Sequence, residues 1–391
     1  MFDFIIIGAG LTGCILAEQL AHTGKRVLII EKKQHIGGTC YDYYNENGVL
    51  VHKYGPHIFN TESEKVWKYI NQFTDFRIYH HRVLGVIEGK KVPVPFNLES
   101  LHKVFPTSYA EVLEKKLLSK YGMNVKVPIM ELQNQEDADL KYLASYIYEY
   151  VFLHYTEKQW GMTPEEVGGA AMARIPFYVS RDDRYFQNRY QGIPTHGYTK
   201  IFERMLDNPH IHLMLNTNYH DIIKCDMEKH EFLFSNTTFT GKVIYTAPLD
   251  ELFNYCYGNL PYRTLDFVFE TYDQEYYQEI CTVNYPNNYD FTRITEFKHM
   301  TGQIHSKTTI VKEYPQQYDS ENKQMEPYYP IPQKENEILY SNYLNLSKQF
   351  PDLILSGRLA DYKYYTMSET IEKALSVFEK ELKPNIVSAK Y

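Results

Sequence analysis

At 391 residues the chain is too long for one small core, and a domain length of about 150 residues leads us to expect two or three compact units. Hydrophobic residues at 43% and charged residues at 23% are ordinary for a globular protein in water. With 41 Lys and Arg against 49 Asp and Glu the formal charge is −8, which excludes a general nucleic-acid or membrane surface. An anionic substrate would therefore need a few placed arginines to hold it against the overall field.

The five cysteines, Cys14, Cys40, Cys225, Cys256 and Cys281, are scattered without a CxxC pair. That argues against a disulfide framework or a structural zinc site, and no metal is expected. The N-terminus runs straight into an apolar strand and then glycines, unlike a signal peptide, and no apolar run reaches membrane-spanning length. No membrane insertion is expected, and the cytoplasm is the expected compartment. The 37 tyrosines suit sugar and base binding, since each offers a large contact area with a polar tip; a coding bias would also produce them.

Taken in chain order, Phe2 to Ile7 is a short β-branched run, followed by Gly8-Ala9-Gly10-Leu11-Thr12-Gly13 and a helical pattern to Gly24. Arg26 to Glu31 reads as a second buried strand, which completes a βαβ unit. From about Leu98 to Glu166 the apolar spacing turns helical, and the small-residue run Gly168 to Ala173, ahead of Arg174-Ile175-Pro176, reads as a mobile loop. His210 to Tyr219, Lys242 to Thr246, Leu265 to Glu270, Ile294 to Lys298 and Thr308 to Lys312 are expected strands. Tyr314 to Lys334, rich in Pro, Gln, Tyr and acids, reads as a long surface connection. Ile354 to Arg358 is a strand-to-helix turn, and Ser368 to Leu382 a terminal helix.

These patterns predict an α/β fold. A discontinuous Rossmann-like dinucleotide-binding domain takes residues 1–80, 195–250 and 340–391. A helical bundle with its loop near 168–180 is inserted at 98–180, and an antiparallel sheet domain takes 81–97 and 260–339.

The GxGxxG run is weak on its own, but here it follows a strand, opens a helix, and meets Glu31 18 residues after Gly13. Gly8 permits the tight turn, Gly10 lets the backbone approach a pyrophosphate, and Gly13 lets helix and strand pack closely. The helix N-terminus offers free N–H groups to the anion, and Glu31 can accept from ribose hydroxyls. A second glycine pair follows soon, with Lys32, Gly37, Gly38 and Thr39. It would let the backbone pass a longer cofactor, which favours FAD over NAD. Ser356-Gly357-Arg358-Leu359-Ala360 could place N–H groups on the flavin side. A second GxGxxG, expected of reductases with a separate NAD(P)H domain, is absent from the sequence.

Several segments then carry a resemblance over nearly the whole chain. They are Glu31-Lys32 with His35-Ile36-Gly37-Gly38, His52 to Phe59, Tyr155 to Gly161 (YTEKQWG), and Arg174-Ile175-Pro176. Further on come Tyr185-Phe186 with Arg189 to Gly192, Thr292-Arg293-Ile294, Lys312 to Pro315, and Gly357 to Ala360 with Tyr362 to Tyr365. In this order they resemble the UDP-galactopyranose mutase family. The resemblance implies an isomerase that interconverts UDP-galactopyranose and UDP-galactofuranose through a covalent adduct of the sugar C1 with N5 of reduced FAD. It also implies a UDP-sugar substrate, a reductant such as NAD(P)H or a reductase, and a homodimer.

By the same resemblance Arg174 and Arg293 grip the diphosphate, a task that suits the fork of an always-charged guanidinium. Tyr155 and Trp160 receive the uracil, with Phe152 and Asn284 completing the base pocket; by spacing alone such an aromatic pair is usually core. Tyr185, Tyr314 and Tyr364 reach the phosphates or the sugar, and His57 lies beside the isoalloxazine. Arg263 and Arg358 are weaker candidates for substrate or flavin contacts. Three positions depart from the family: Asn60, His81 and Thr366 stand where it usually has His, Asn and Asp. They put the preferred sugar in doubt, and UDP-N-acetylgalactosamine, UDP-arabinopyranose or a deoxy sugar such as fucose are alternatives. A flavin oxidase of the amine-oxidase type and a scaffold that has lost catalysis are the competing classes.

Overall fold

Phe4–Ile7 is the middle strand of a five-stranded parallel sheet in the order Ile211–Met214, Val27–Ile30, Phe4–Ile7, Lys242–Tyr245, Leu353–Leu355. The structure, a computed structural model, describes residues 2–167, 176–322 and 324–388. Both faces of the sheet are covered, which is why its central strands read as unbroken apolar runs. Phe4, Ile6, Val27, Ile29 and Ile244 face a core shared with the Leu11–His22 and Met367–Val377 helices. Ile5, Ile7, Leu28, Ile30 and Val243 face the other way, toward Leu249, Tyr343 and Phe350. Each isoleucine so buried contributes about 1.5–3 kcal/mol by leaving water. The Leu11–His22 helix can lie close to its strand because a Cβ on Gly13 would collide with the Gly8 carbonyl oxygen.

A second sheet of seven strands runs Tyr329–Pro330, Tyr262–Tyr272, Thr308–Gln317, Arg293–Glu296, Thr282–Asn284, Val83–Ile87, Lys90–Val94. Its pairings are antiparallel except for Thr282–Asn284 with Val83–Ile87, which run parallel. The register aligns Gly85, Asn284, Arg293, Glu313 and Phe267 in one row across five strands. Helices Leu98–Val104, Thr107–Tyr121 and Ala138–Ile147 pack on the Lys90–Val94 edge through Val92, Phe96, Leu113, Leu117 and Ile147.

Several elements differ from the sequence expectation. Thr308–Gln317 continues past Lys312 because it pairs with Tyr262–Tyr272 along its full length, so a non-local ladder overrides the loop-like composition of Tyr314 to Gln317. The Arg293–Glu296 strand stops early and Phe297–Thr301 is a helix, closed by Gly302 in the left-handed region at φ 70°. Within the helical insert Val125–Pro128 is a strand, paired with Pro176–Val179, a segment the sequence places in the loop. Among the described residues all five cysteines are free, no group of three or more His, Cys, Asp or Glu is arranged to hold a metal, and no helix is long and apolar enough to cross a membrane.

Candidate active site

A cavity of about 750 Å³ runs from the Gly8–Gly10 turn, past Gly38 and Thr39, to Phe152 and Tyr155 on the helical insert. At the first end the Leu11–His22 helix begins at Gly10 with no side-chain cap, so its first N–H groups stay available to an anion. Gly38 faces Gly10 across the corridor: its φ is 55°, and a Cβ on it would stand 2.9 Å from the Gly10 Cα. Buried Glu31 accepts from Ala9 N at 2.8 Å and from Lys33 N at 2.9 Å. The acid therefore ties down the glycine turn, with lone pairs left for a ligand. Lys32, Thr217 and Tyr219 line the same end.

His57, Arg358 and Leu359 also line the cavity. His57 Nδ1 bonds the Gly55 carbonyl at 2.9 Å, and its backbone N–H donates to His52 Nδ1 at 3.1 Å. Burial, then the neighbouring His52, pushes the His57 imidazole down to about 3. The ring is neutral at physiological pH, and with Nδ1–H spent on a carbonyl, Nε2 is its acceptor. Arg358 lies over the Tyr364 ring at 5.7 Å from its centroid.

At the far end Arg293 comes from the second sheet, and its Nε stands 2.7 Å from Oε1 of the fully buried Glu313. The two are an ion pair by distance, although the N–H is not well enough aligned to count as a hydrogen bond. Burial opposes the Arg293 charge, but Glu313 outweighs it and holds the guanidinium well above its ordinary value. Tyr155 is pushed up to about 12 by burial, against the pull of Arg293, so it remains a donor. Tyr185, Tyr364, Asn284 and Phe152 complete this wall. The Asn284 Oδ1 is buried and meets no hydrogen-bond donor among the described residues. Asn60, His81 and Thr366 also line the cavity. His81 is pushed down to about 3, by burial and then by Arg293.

Not every candidate lies on the wall. Trp160 packs at 6.0 Å from Tyr329, itself a lining residue, and Tyr314 packs against Phe291 at 5.8 Å; neither side chain lines the cavity. Gly13 serves the helix–strand contact. Arg263 does not line the cavity either: its Nε and Nη2 donate to the carbonyls of Gln159 and Lys158 at 3.0 and 3.1 Å, so it caps the His154–Trp160 helix. Arg174 and residues 168–175 of the mobile loop expected near 168–180 lie outside the described residues. Glu313 and Tyr329 were not singled out from sequence. Glu313 sat unassigned within a matched segment, and its meaning comes only from the register with Arg293.

A parallel sheet whose glycine turn opens into a cavity shared with a second domain is the layout of a dinucleotide-binding α/β enzyme. Residues 6–73 match the NAD(P)-binding Rossmann-like domain family. Residues 150–364 match the family described as UDP-galactopyranose mutase. The chain is 35% identical over 387 residues to a UDP-galactopyranose mutase of Mycoplasma pneumoniae, covering 97% of this chain and 96% of the relative. It is 32% identical to a dTDP-fucopyranose mutase of Escherichia coli, covering 98% of this chain and all of the relative. A solved structure of reduced UDP-galactopyranose mutase superposes with a TM-score of 0.74 at 15% identity, over 98% of this chain and 94% of that one. The chain belongs to the UDP-galactopyranose mutase family, a family of isomerases.

Proposed function

We propose that this enzyme binds FAD and interconverts UDP-galactopyranose and UDP-galactofuranose. The observation that carries the reading is Arg293, a permanent cation from the second sheet, facing the cavity that the glycine turn opens. The residues fit FAD. Gly10 and Gly38 leave a corridor that a side chain would fill, the helix N-terminus is uncapped, and Arg358 and Leu359 line the same cavity. When bound and reduced, the flavin would supply a nucleophilic N5 for the anomeric carbon, so turnover consumes no net electrons.

The chain's own residues do the rest by binding and orientation. Arg293, with Arg174, holds the diphosphate as it departs and returns; each charge-assisted contact is worth about 1.5–3 kcal/mol. Glu313 aims the Arg293 guanidinium from behind. Tyr185 and Tyr364 donate hydroxyls to phosphate or sugar without the desolvation cost of more charges, and the Tyr155 ring stacks on the uracil. Asn284 and Phe152 receive the base, one by its amide and the other by its ring. Neutral His57 presents Nε2 to a proton donor at the centre of the cavity.

The dTDP-fucopyranose mutase relative supports a second reading, a related nucleotide sugar on the same machinery, since Asn60, His81 and Thr366 line the cavity where the sugar would lie. One assay tests both. The purified flavoprotein is reduced, freed of oxygen, and given UDP-galactofuranose or dTDP-fucofuranose. Conversion of the uridine substrate to its pyranose without stoichiometric flavin oxidation is the expected result. A larger kcat/KM for the deoxy sugar would move the assignment to the second reading, and flavin oxidation without ring isomerisation would contradict both.

A further inference from the structure

The helix that brings Tyr155 to the cavity, His154–Trp160, follows directly on the π-helical turn Tyr148–Leu153 that carries Phe152. Arg263 fixes the carboxyl end of this helix through two backbone carbonyls. From its flank, Lys158 reaches across to the 285–291 loop. There Nζ donates to the carbonyl of Tyr285, to that of Tyr289 at 3.0 Å and to that of Phe291 at 3.1 Å. An ammonium has three N–H donors and no acceptor, so all of its bonding capacity is committed to one loop. The same loop returns a bond, from Asn287 Nδ2 to the Tyr150 carbonyl at 2.7 Å.

This loop joins the Thr282–Asn284 strand to the Arg293–Glu296 strand. Its two ends are therefore the cavity residues Asn284 and Arg293, whereas Lys158 itself does not line the cavity. Three carbonyls converging on one point suit a compact, rotatable ammonium better than a planar guanidinium. In a nucleoside diphosphate the distance from base to phosphate is set by covalent bonds. A protein that lets its two subsites drift apart keeps each weak contact and loses their joint effect.

We propose that Lys158 is a positioning residue for nucleotide binding, a latch that holds the helix carrying Phe152 and Tyr155 at a fixed spacing from the loop ending in Arg293. The proposal rests on the nucleotide-sugar reading above. It is tested on the oxidised holoenzyme by titrating UDP, uridine and inorganic pyrophosphate against the flavin signal in wild type and in Lys158→Met. FAD content and the flavin spectrum should be unchanged. UDP affinity should fall by about tenfold or more, while uridine and pyrophosphate, each using one subsite, weaken by less than about threefold. Asn287→Ala, which removes the other tie to the same loop, should reproduce this pattern and replaces Lys158→Met if that variant fails to fold. UDP affinity left at the wild-type value, or equal proportional loss for all three ligands, would overturn the latch. Wild-type protein that does not bind UDP would sink the nucleotide-sugar reading itself, and the latch with it.

Discussion

Arg293 and Glu313 face each other across adjacent strands, and the carboxylate has no exposed surface of its own. Such a pair costs desolvation that its attraction only partly offsets, so it adds little to stability, which is consistent with the proposed role of Glu313 in aiming the cation. Charge here is kept scarce in other ways. His52, His57 and His81 are each pushed down to about 3, with burial the leading cause. Their unfolded values lie near 6.5. Below that pH the unfolded chain takes up protons that the native state refuses, so stability falls as pH drops and is fully kept above it. The cost is roughly 1 kcal/mol per histidine for each pH unit below 6.5. Thermal melts should show Tm steady from pH 7 to 8 and falling between pH 6.5 and 5. A Tm flat across that lower window would mean that these rings are protonated in the fold.

At the scale of elements, the two glycine turns set the width of the corridor. Gly38→Ala would put a methyl 2.9 Å from the Gly10 Cα and force a side chain into a backbone with φ 55°. We expect this variant to purify with FAD content reduced severalfold but folded, as read by the flavin absorbance per chain and by circular dichroism. Full flavin occupancy would show that the cofactor does not pass between these turns. These turns were legible in the sequence because their signals are local: a β-branched run, glycines at fixed offsets, an acid after the next strand. The second sheet was legible only as separate strands. That Glu313 lies beside Arg293, and that Thr308–Gln317 runs on past Lys312, depends on pairing between segments far apart in sequence. Arg263 is only a weaker candidate in the sequence, which carries no local sign that its guanidinium meets the end of a helix. Lys158 lay unremarked inside YTEKQWG, because a lysine in a helix reads as a solvated charge until its loop is in place.

On the scale of the whole molecule, the parallel sheet brings its glycine turn together with Glu31, His57 and Arg358 to the cavity, and the second sheet brings Asn284 and Arg293. The glycine-rich end offers an uncapped helix N-terminus and the Glu31 carboxylate to a ligand. The opposite wall holds Arg293, neutral tyrosines and neutral histidines. In a chain of net charge −8, a dianionic ligand would need local cations to hold it, and Arg293 faces the cavity where such a ligand would lie. The most direct measurement is a crystal structure of the reduced holoenzyme with UDP. It should show the Arg293 guanidinium about 3 Å from a diphosphate oxygen, with the base against Phe152 and Tyr155. A nucleotide bound elsewhere, or a guanidinium turned to bulk water while UDP occupies the cavity, would contradict the account.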